Sequence, residues 1–133
     1  MSQFFHFAYL SKLSPEYDAM VISDIIKQSR KNNLRDKLTG VLIYDGERFF
    51  QYIEGPRASA LALLNRLRND VRHVDMLVLF ESEHCSNRFY DDWHLAYTYD
   101  DQNKSIDALI TDNYDEALSK IQSLKKEMDF APE

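Results

Sequence analysis

The chain has 133 residues, 44% of them apolar and 29% charged, and a formal net charge of −6. That composition suits one folded domain rather than two or a disordered tail, and the negative balance gives no broad attraction for nucleic acid or an anionic membrane. A single cysteine, Cys85, excludes an intrachain disulfide, no signal-peptide pattern is visible, and the apolar runs are too short to span a bilayer, so the expected location is cytoplasmic.

Residues 4–11, FFHFAYLS, are aromatic and β-prone and read as a first strand. Phe5, Phe7, Tyr9 and Ser11 share one face, and Phe4, His6, Ala8 and Leu10 the other. Both faces are largely apolar, which predicts a central strand covered on both sides. Ser14-Pro15 then predicts a helix start. Val21, Ile22, Ile25, Ile26 and Ser29 recur at helical spacing, giving a helix over 15–31 that Asn32-Asn33 terminates. Two β-prone runs, 38–44 and 48–54, flank Asp45-Gly46 and predict a hairpin. Gly55-Pro56 ends the second run and opens a helix whose stripe is Ala60, Leu61, Leu64 and Leu67.

Residues 74–81 read as a fourth strand, followed by the polar loop SEHCSNRFYDD. A fifth strand over 93–99 carries Trp93, Leu95 and Tyr97 on one side. The order β-α-β-β-α-β-β gives an α+β, ferredoxin-like sandwich with two helices on one sheet face. Ile106, Leu109 and Ile110, then Ala117, Leu118, Ile121 and Leu124, predict two short helices that cap the second face. The division is a domain over 1–100 and a helical extension over 101–133.

The chain has three isolated glycines and no G-x-S-x-G, P-loop or G-x-G-x-x-G pattern, so a Gly-rich phosphate cradle is excluded. Glu81, Glu83, His84 and Cys85 cluster in sequence without metal-site spacing, and a solvated loop is the expectation there. The aromatic content, 8 Phe, 8 Tyr and 1 Trp, suits either an ordinary core or a pocket around a flat ring. More informative are polar residues inside apolar elements: Tyr9, Asn32, Asn33 and Gln51. A buried amide or phenol left unpaired costs roughly 1–3 kcal/mol. Gln51 therefore faces solvent, pairs with backbone, or serves a ligand.

The ordered set FAYLS, SRKNN, LTGVLIY, FFQYIEG, LNRLRNDVRH and FYDDW resembles the BLUF family of flavin-based blue-light sensors over residues 4–99. The resemblance implies FAD as cofactor, or FMN in some preparations, with the flavin ring between the two helices. It implies that Asn33, assisted by Asn32, bonds the polar ring edge; an amide matches alternating C=O and N–H groups. It further implies that Ile25 and Ser29 lie along the ring and that Arg66, Asp70 and His73 lie near the ribityl and phosphate end.

The same resemblance implies that Tyr9 and Gln51 are the photochemical pair, with Gln51 bridging the Tyr9 hydroxyl and the flavin N5/O4 edge. Blue light then rearranges Gln51, the absorption shifts red, and Trp93 and Leu95 relay the change. The family commonly has Met two residues after this Trp; Leu95 stands there instead, and cannot accept a hydrogen bond as a thioether weakly can. The implied output is non-enzymatic, acting on a separate protein partner or through self-association by way of the C-terminal helices. Two alternatives share the scaffold: a flavin or small-ligand module without photoactivity, and an acylphosphatase-like enzyme built around Arg57.

Overall fold

The computed structural model describes residues 4–83, 87–90, 93–100 and 105–127. Four strands and two helices come first: β1 (Phe4–Leu13), α1 (Val21–Asp36), β2 (Thr39–Tyr44), β3 (Arg48–Pro56), α2 (Arg57–Arg68) and β4 (His73–Glu83). A short strand, β5 (Ala96–Tyr99), and two helices, α3 (Ser105–Leu109) and α4 (Tyr114–Glu127), follow. The sheet order is β4-β1-β3-β2-β5. All neighbours are antiparallel except β2 and β5, which run parallel. This is the ferredoxin-like α+β sandwich, with β5 added at the β2 edge.

Period-two alternation along β1 and β3 sorts the core into two layers. Phe5, Phe7, Tyr9, Phe49 and Ile53 face Ile22 and Ile25 of α1 and Ala60 and Leu64 of α2. Ala8, Val41, Ile43, Phe50 and Tyr52 face the opposite way, toward Ile106 and Leu109 of α3 and Ile121 and Leu124 of α4. Each fully buried aliphatic side chain is worth about 1.5–3 kcal/mol, so both faces need their helices. The expected stripe of the extension loses one member: Ile110 lies beyond α3 and is exposed. Among the described residues no helix is long and apolar enough to cross a membrane.

Three boundaries differ from the sequence expectation. Ser14-Pro15 does not start the first helix. Ser14 closes a turn, its Oγ accepting from the Glu16 amide, and Asp18 caps the Met20 amide before α1 begins at Val21. Asn32-Asn33 does not end α1 either. The helix continues to Asp36, and Lys37 takes the left-handed conformation at φ 61°. The Asn33 side chain is committed to another partner, which removes it from a capping role. The last strand is shorter than 93–99, because residues 93–95 give their carbonyls to groups of β2 and α1 instead of a strand ladder. Trp93 packs with the α3–α4 layer and Leu95 with the α1–α2 layer, so the two do not share a side.

The hairpin forms at Asp45-Gly46. Asp45 Oδ1 accepts from the amides of Glu47 and Arg48, and Gly46 adopts φ 96°, a value that disfavours any side chain. In β2, Gly40 is required for a different reason: a Cβ there would sit 1.9 Å from the Tyr52 carbonyl oxygen. Gly40→Ala should lower stability by roughly 1–3 kcal/mol, because the neighbouring backbone must move to admit the methyl group. An unchanged urea midpoint would contradict the required close approach.

Candidate functional site

A cleft opens between α1, α2 and the sheet, lined by residues from six elements and the turn before β4. From α1 come Ile25, Gln28, Ser29 and Asn32, a run at three- and four-residue spacing that shares one helix face. Leu63, Arg66 and Leu67 of α2 form the facing wall, and Tyr9, Leu42 and Gln51 form the floor. Asp70, Arg72 and His73 close one end.

The floor is set by strand register. Tyr9 in β1 lies directly opposite Gln51 in β3, and Leu42 in β2 is opposite Gln51 on the other side. The Tyr9 hydroxyl donates to Gln51 Oε1 at 2.6 Å, with both residues buried. Gln51 Nε2 has no hydrogen-bond partner among the described residues, although Gln51 is only 4% exposed. A buried, unpaired amide on a cleft floor is a costly arrangement that an acceptor-bearing ligand relieves. Burial, and then the charge of Asp70, push the Tyr9 phenol well above its ordinary value, so it stays a donor across the physiological range.

The end of the cleft is ionic. Burial alone would raise the Asp70 carboxyl, but hydrogen bonds and charge from Arg72 outweigh it and hold the group below the usual carboxylate range. The Arg72–Asp70 pair is bidentate, with contacts of 2.9 and 2.7 Å. His73 turns its Nδ1 to Ser11 Oγ at 2.9 Å and sets its ring nearly perpendicular to Tyr9, centroids 6.1 Å apart. Arg66 spans the mouth from α2 to Asp36 of α1 at 3.6 Å.

Of the residues singled out from sequence, Tyr9, Ile25, Ser29, Asn32, Gln51, Arg66, Asp70 and His73 meet in this cleft. Asn33, Trp93 and Leu95 are not in its lining. Asn33 is buried and donates from Nδ2 to the His94 carbonyl at 2.6 Å. Trp93 packs beside Tyr90, with the Lys125 ammonium 4.8 Å above its ring. Leu95 is fully buried, and its carbonyl accepts from Arg30 Nε at 3.0 Å. Sequence reasoning missed Gln28, Leu42, Leu63, Leu67 and Arg72. The helical spacing from Ile25 would have found Gln28, and the hairpin register would have found Leu42. Of the clustered Glu81, Glu83, His84 and Cys85, the last two lie outside the described residues. Among the described residues no group of three His, Cys, Asp or Glu is arranged to hold a metal.

The family model for sensors of blue-light using FAD, BLUF, matches residues 4–96. The chain belongs to the BLUF family. The BLUF protein BlrB, solved in its dark state, is 26% identical and superposes with a TM-score of 0.76, over 96% of this chain and 99% of that one. Photoactivated adenylate cyclase subunit beta of Euglena gracilis is 29% identical over 66% of this chain and 10% of its own. The blue light- and temperature-regulated antirepressor BluF of Escherichia coli K12 is 25% identical over 61% of this chain and 20% of its own. The chain therefore spans a tenth to a fifth of the length of these two curated relatives.

The donor set fits a flavin. The unpaired Gln51 amide and the unpaired Asn32 side chain supply polar contacts, and Ile25, Leu42, Leu63 and Leu67 supply apolar walls. The cleft measures about 140 Å³.

Burial depresses the His73 imidazole below its ordinary value near 6.5. A group that binds its proton more readily when unfolded destabilises the folded state on the acid side. Its contribution is fully present above pH 6.5 and is lost as pH falls below that. Urea stability should therefore drop between pH 7.5 and 5.5, and drop less in His73→Gln. Parallel pH profiles for the two proteins would show that His73 charges without penalty.

Proposed function

We propose that this chain is a blue-light photoreceptor whose Tyr9–Gln51 pair converts excitation of a bound FAD into a rearranged hydrogen-bond network. The observation that carries the reading is the buried Gln51 amide, held by a phenol at one end and unpaired at the other. Ile25, Ser29 and Asn32 would line the ring, and Arg66, Asp70, Arg72 and His73 would lie toward the ribityl and phosphate end. FMN has the same ring and would serve the same floor.

A bound flavin supplies a strong one-electron oxidant under blue light and an absorption band sensitive to hydrogen bonds at its carbonyl edge. Tyr9 would be the donor. A phenol that gives up an electron becomes far more acidic, and Gln51 Oε1 at 2.6 Å is positioned to take the proton. Gln51 is then free to rotate or tautomerise, because the Tyr9 bond is the one side-chain hydrogen bond it must break among the described residues. The apolar walls, Ile25, Leu42, Leu63 and Leu67, limit competing partners, so a changed amide would persist until the Tyr9 contact reforms.

The output is an interaction rather than a reaction. The curated relatives join a sensor to different remainders, a cyclase in one and an antirepressor in the other. This chain's reading is a sensor acting on a separate protein or on a second copy of itself, with the C-terminal extension as the contact element.

A light-minus-dark absorption spectrum is the direct test; a yellow protein with a reversible red shift is expected, and a fixed spectrum would overturn the reading. Tyr9→Phe and Gln51→Leu should each bind flavin and lose the reversible shift. A normal photocycle in either would remove that residue from the mechanism. Leu95→Met should alter dark recovery and the light-induced change outside the cleft, and identical behaviour to the wild type would mean that Leu95 has no relay role.

A further inference from the structure

The sheet face away from the cleft carries a buried polar series that the photochemical pair does not use. His6 and Glu54, both fully buried, lie opposite each other in the β1–β3 register. Between them stands Tyr52, whose hydroxyl donates to Glu54 Oε1 at 3.1 Å and lies 3.1 Å from His6 Nδ1. A hydroxyl has one proton, and here it is spent on Glu54, so His6 Nδ1 is the protonated nitrogen that donates to Tyr52. His6 Nε2 is then a bare acceptor. The Tyr114 hydroxyl is 2.6 Å from it and Ser82 Oγ is 3.0 Å from it. Ser82 Oγ and the Tyr114 hydroxyl are also 2.9 Å apart, so the two share the supply of a proton to Nε2. The series runs from Tyr114, the first residue of α4, through His6 and Tyr52 to the Glu54 carboxylate.

Both ends of this series lead somewhere. Glu54 also accepts from the amides of Phe89 and Tyr90, each at 2.8 Å, and from Thr39 Oγ1 at 3.0 Å. It thereby fixes the backbone that runs toward Trp93. Helix α4 is fastened again further along: the Tyr90 hydroxyl donates to the Ile121 carbonyl, and Lys125 sits over the Trp93 ring. Gln51 and Tyr52 are consecutive in β3, one facing the cleft and the other this network. A change in Gln51 that moves its backbone moves the Tyr52 hydroxyl with it.

We propose that His6 is a positioning residue that passes the state of the Gln51 amide to α4 through the series Tyr52–His6–Tyr114. The proposal rests on the photoreceptor reading and names how that site reaches the contact element. An imidazole suits the task because one flat ring donates at one nitrogen and accepts at the other. Weakening the Nδ1 contact changes the strength of the Nε2 contact, since hydrogen bonds in series polarise one another. Tyr114 is the group that feels it, and Tyr114 begins the helix.

The test uses the full chain loaded with FAD and labelled with 15N-histidine, one of four histidines being assigned to position 6 through His6→Gln. If that variant fails to fold, Tyr114→Phe identifies the same signals; it keeps the ring that packs on Phe80 at 5.2 Å and removes the hydroxyl alone. In the dark, Nδ1 should be protonated and Nε2 should accept a hydrogen bond. Illumination should move both ring signals of His6. Tyr114→Phe should retain the red shift and lose most of the light-induced change at the His6 Nε2 signal, because the hydroxyl 2.6 Å from that nitrogen is gone. Superposable dark and illuminated His6 signals, in a sample whose flavin band has moved, overturn the proposal and leave the photoreceptor reading standing. A wild-type light-induced change at Nε2 in Tyr114→Phe also overturns it. A flavin band that does not move overturns the photoreceptor reading, and this proposal with it.

Discussion

The structure depends on two polar side chains meeting across a pair of antiparallel strands in an otherwise apolar layer. Tyr9 and Gln51 are direct register partners, and their 2.6 Å hydrogen bond is buried. A slip of one residue in β1 against β3 would turn every side chain of the moved strand to the opposite face. The apolar pattern on both sides of Tyr9 forbids that slip: Phe5 and Phe7 would leave the α1–α2 layer. The core thus pins the Tyr9–Gln51 pair, and the pair in turn leaves both Nε2 hydrogens of Gln51 without a partner among the described residues.

The surroundings of that pair divide their labour. Aliphatic residues of α1, α2 and β2 give the cleft apolar walls, and a hydrogen bond made against such walls is stronger than one in water. The charged residues are kept to its rim, where Asp70 is neutralised by Arg72 and Arg66 reaches Asp36. The Tyr9 phenol is thereby shielded from full charges while still sensing Asp70. Such an arrangement keeps the proton on the Tyr9 phenol.

Much of this was legible in the sequence. The order of elements followed from β-prone runs, helical periodicity and the Asp45-Gly46 turn, all local signals. Eight of the eleven candidate site residues came together because ordered motifs carry register and helix phase implicitly. What failed to show was settled by partners distant in sequence. Asn33 looked like a helix terminator because its role as donor to the His94 carbonyl lies 61 residues away. Ser14-Pro15 looked like a helix start, yet Ser14 Oγ accepts from the Glu16 amide in a turn and α1 begins only at Val21, without a side-chain cap. Trp93 and Leu95 read as one strand face, but side-chain donors from α1 and the amide of Gly40 take the carbonyls of residues 93–95 and break the alternation. The His6 network was invisible for the same reason: Tyr52, Ser82 and Tyr114 are separated from His6 by 46, 76 and 108 positions.

The two core layers touch only through the sheet, so the sheet works as a partition one residue thick. The cleft lies on one side of it and the helical extension on the other. Substitutions on the outward surfaces of α3 and α4 leave the cleft lining itself in place, and changes in the cleft lining leave the residues of the α3–α4 layer in place. A lineage built on such a partition can exchange outputs freely, provided that the strand crossing between the two compartments is kept.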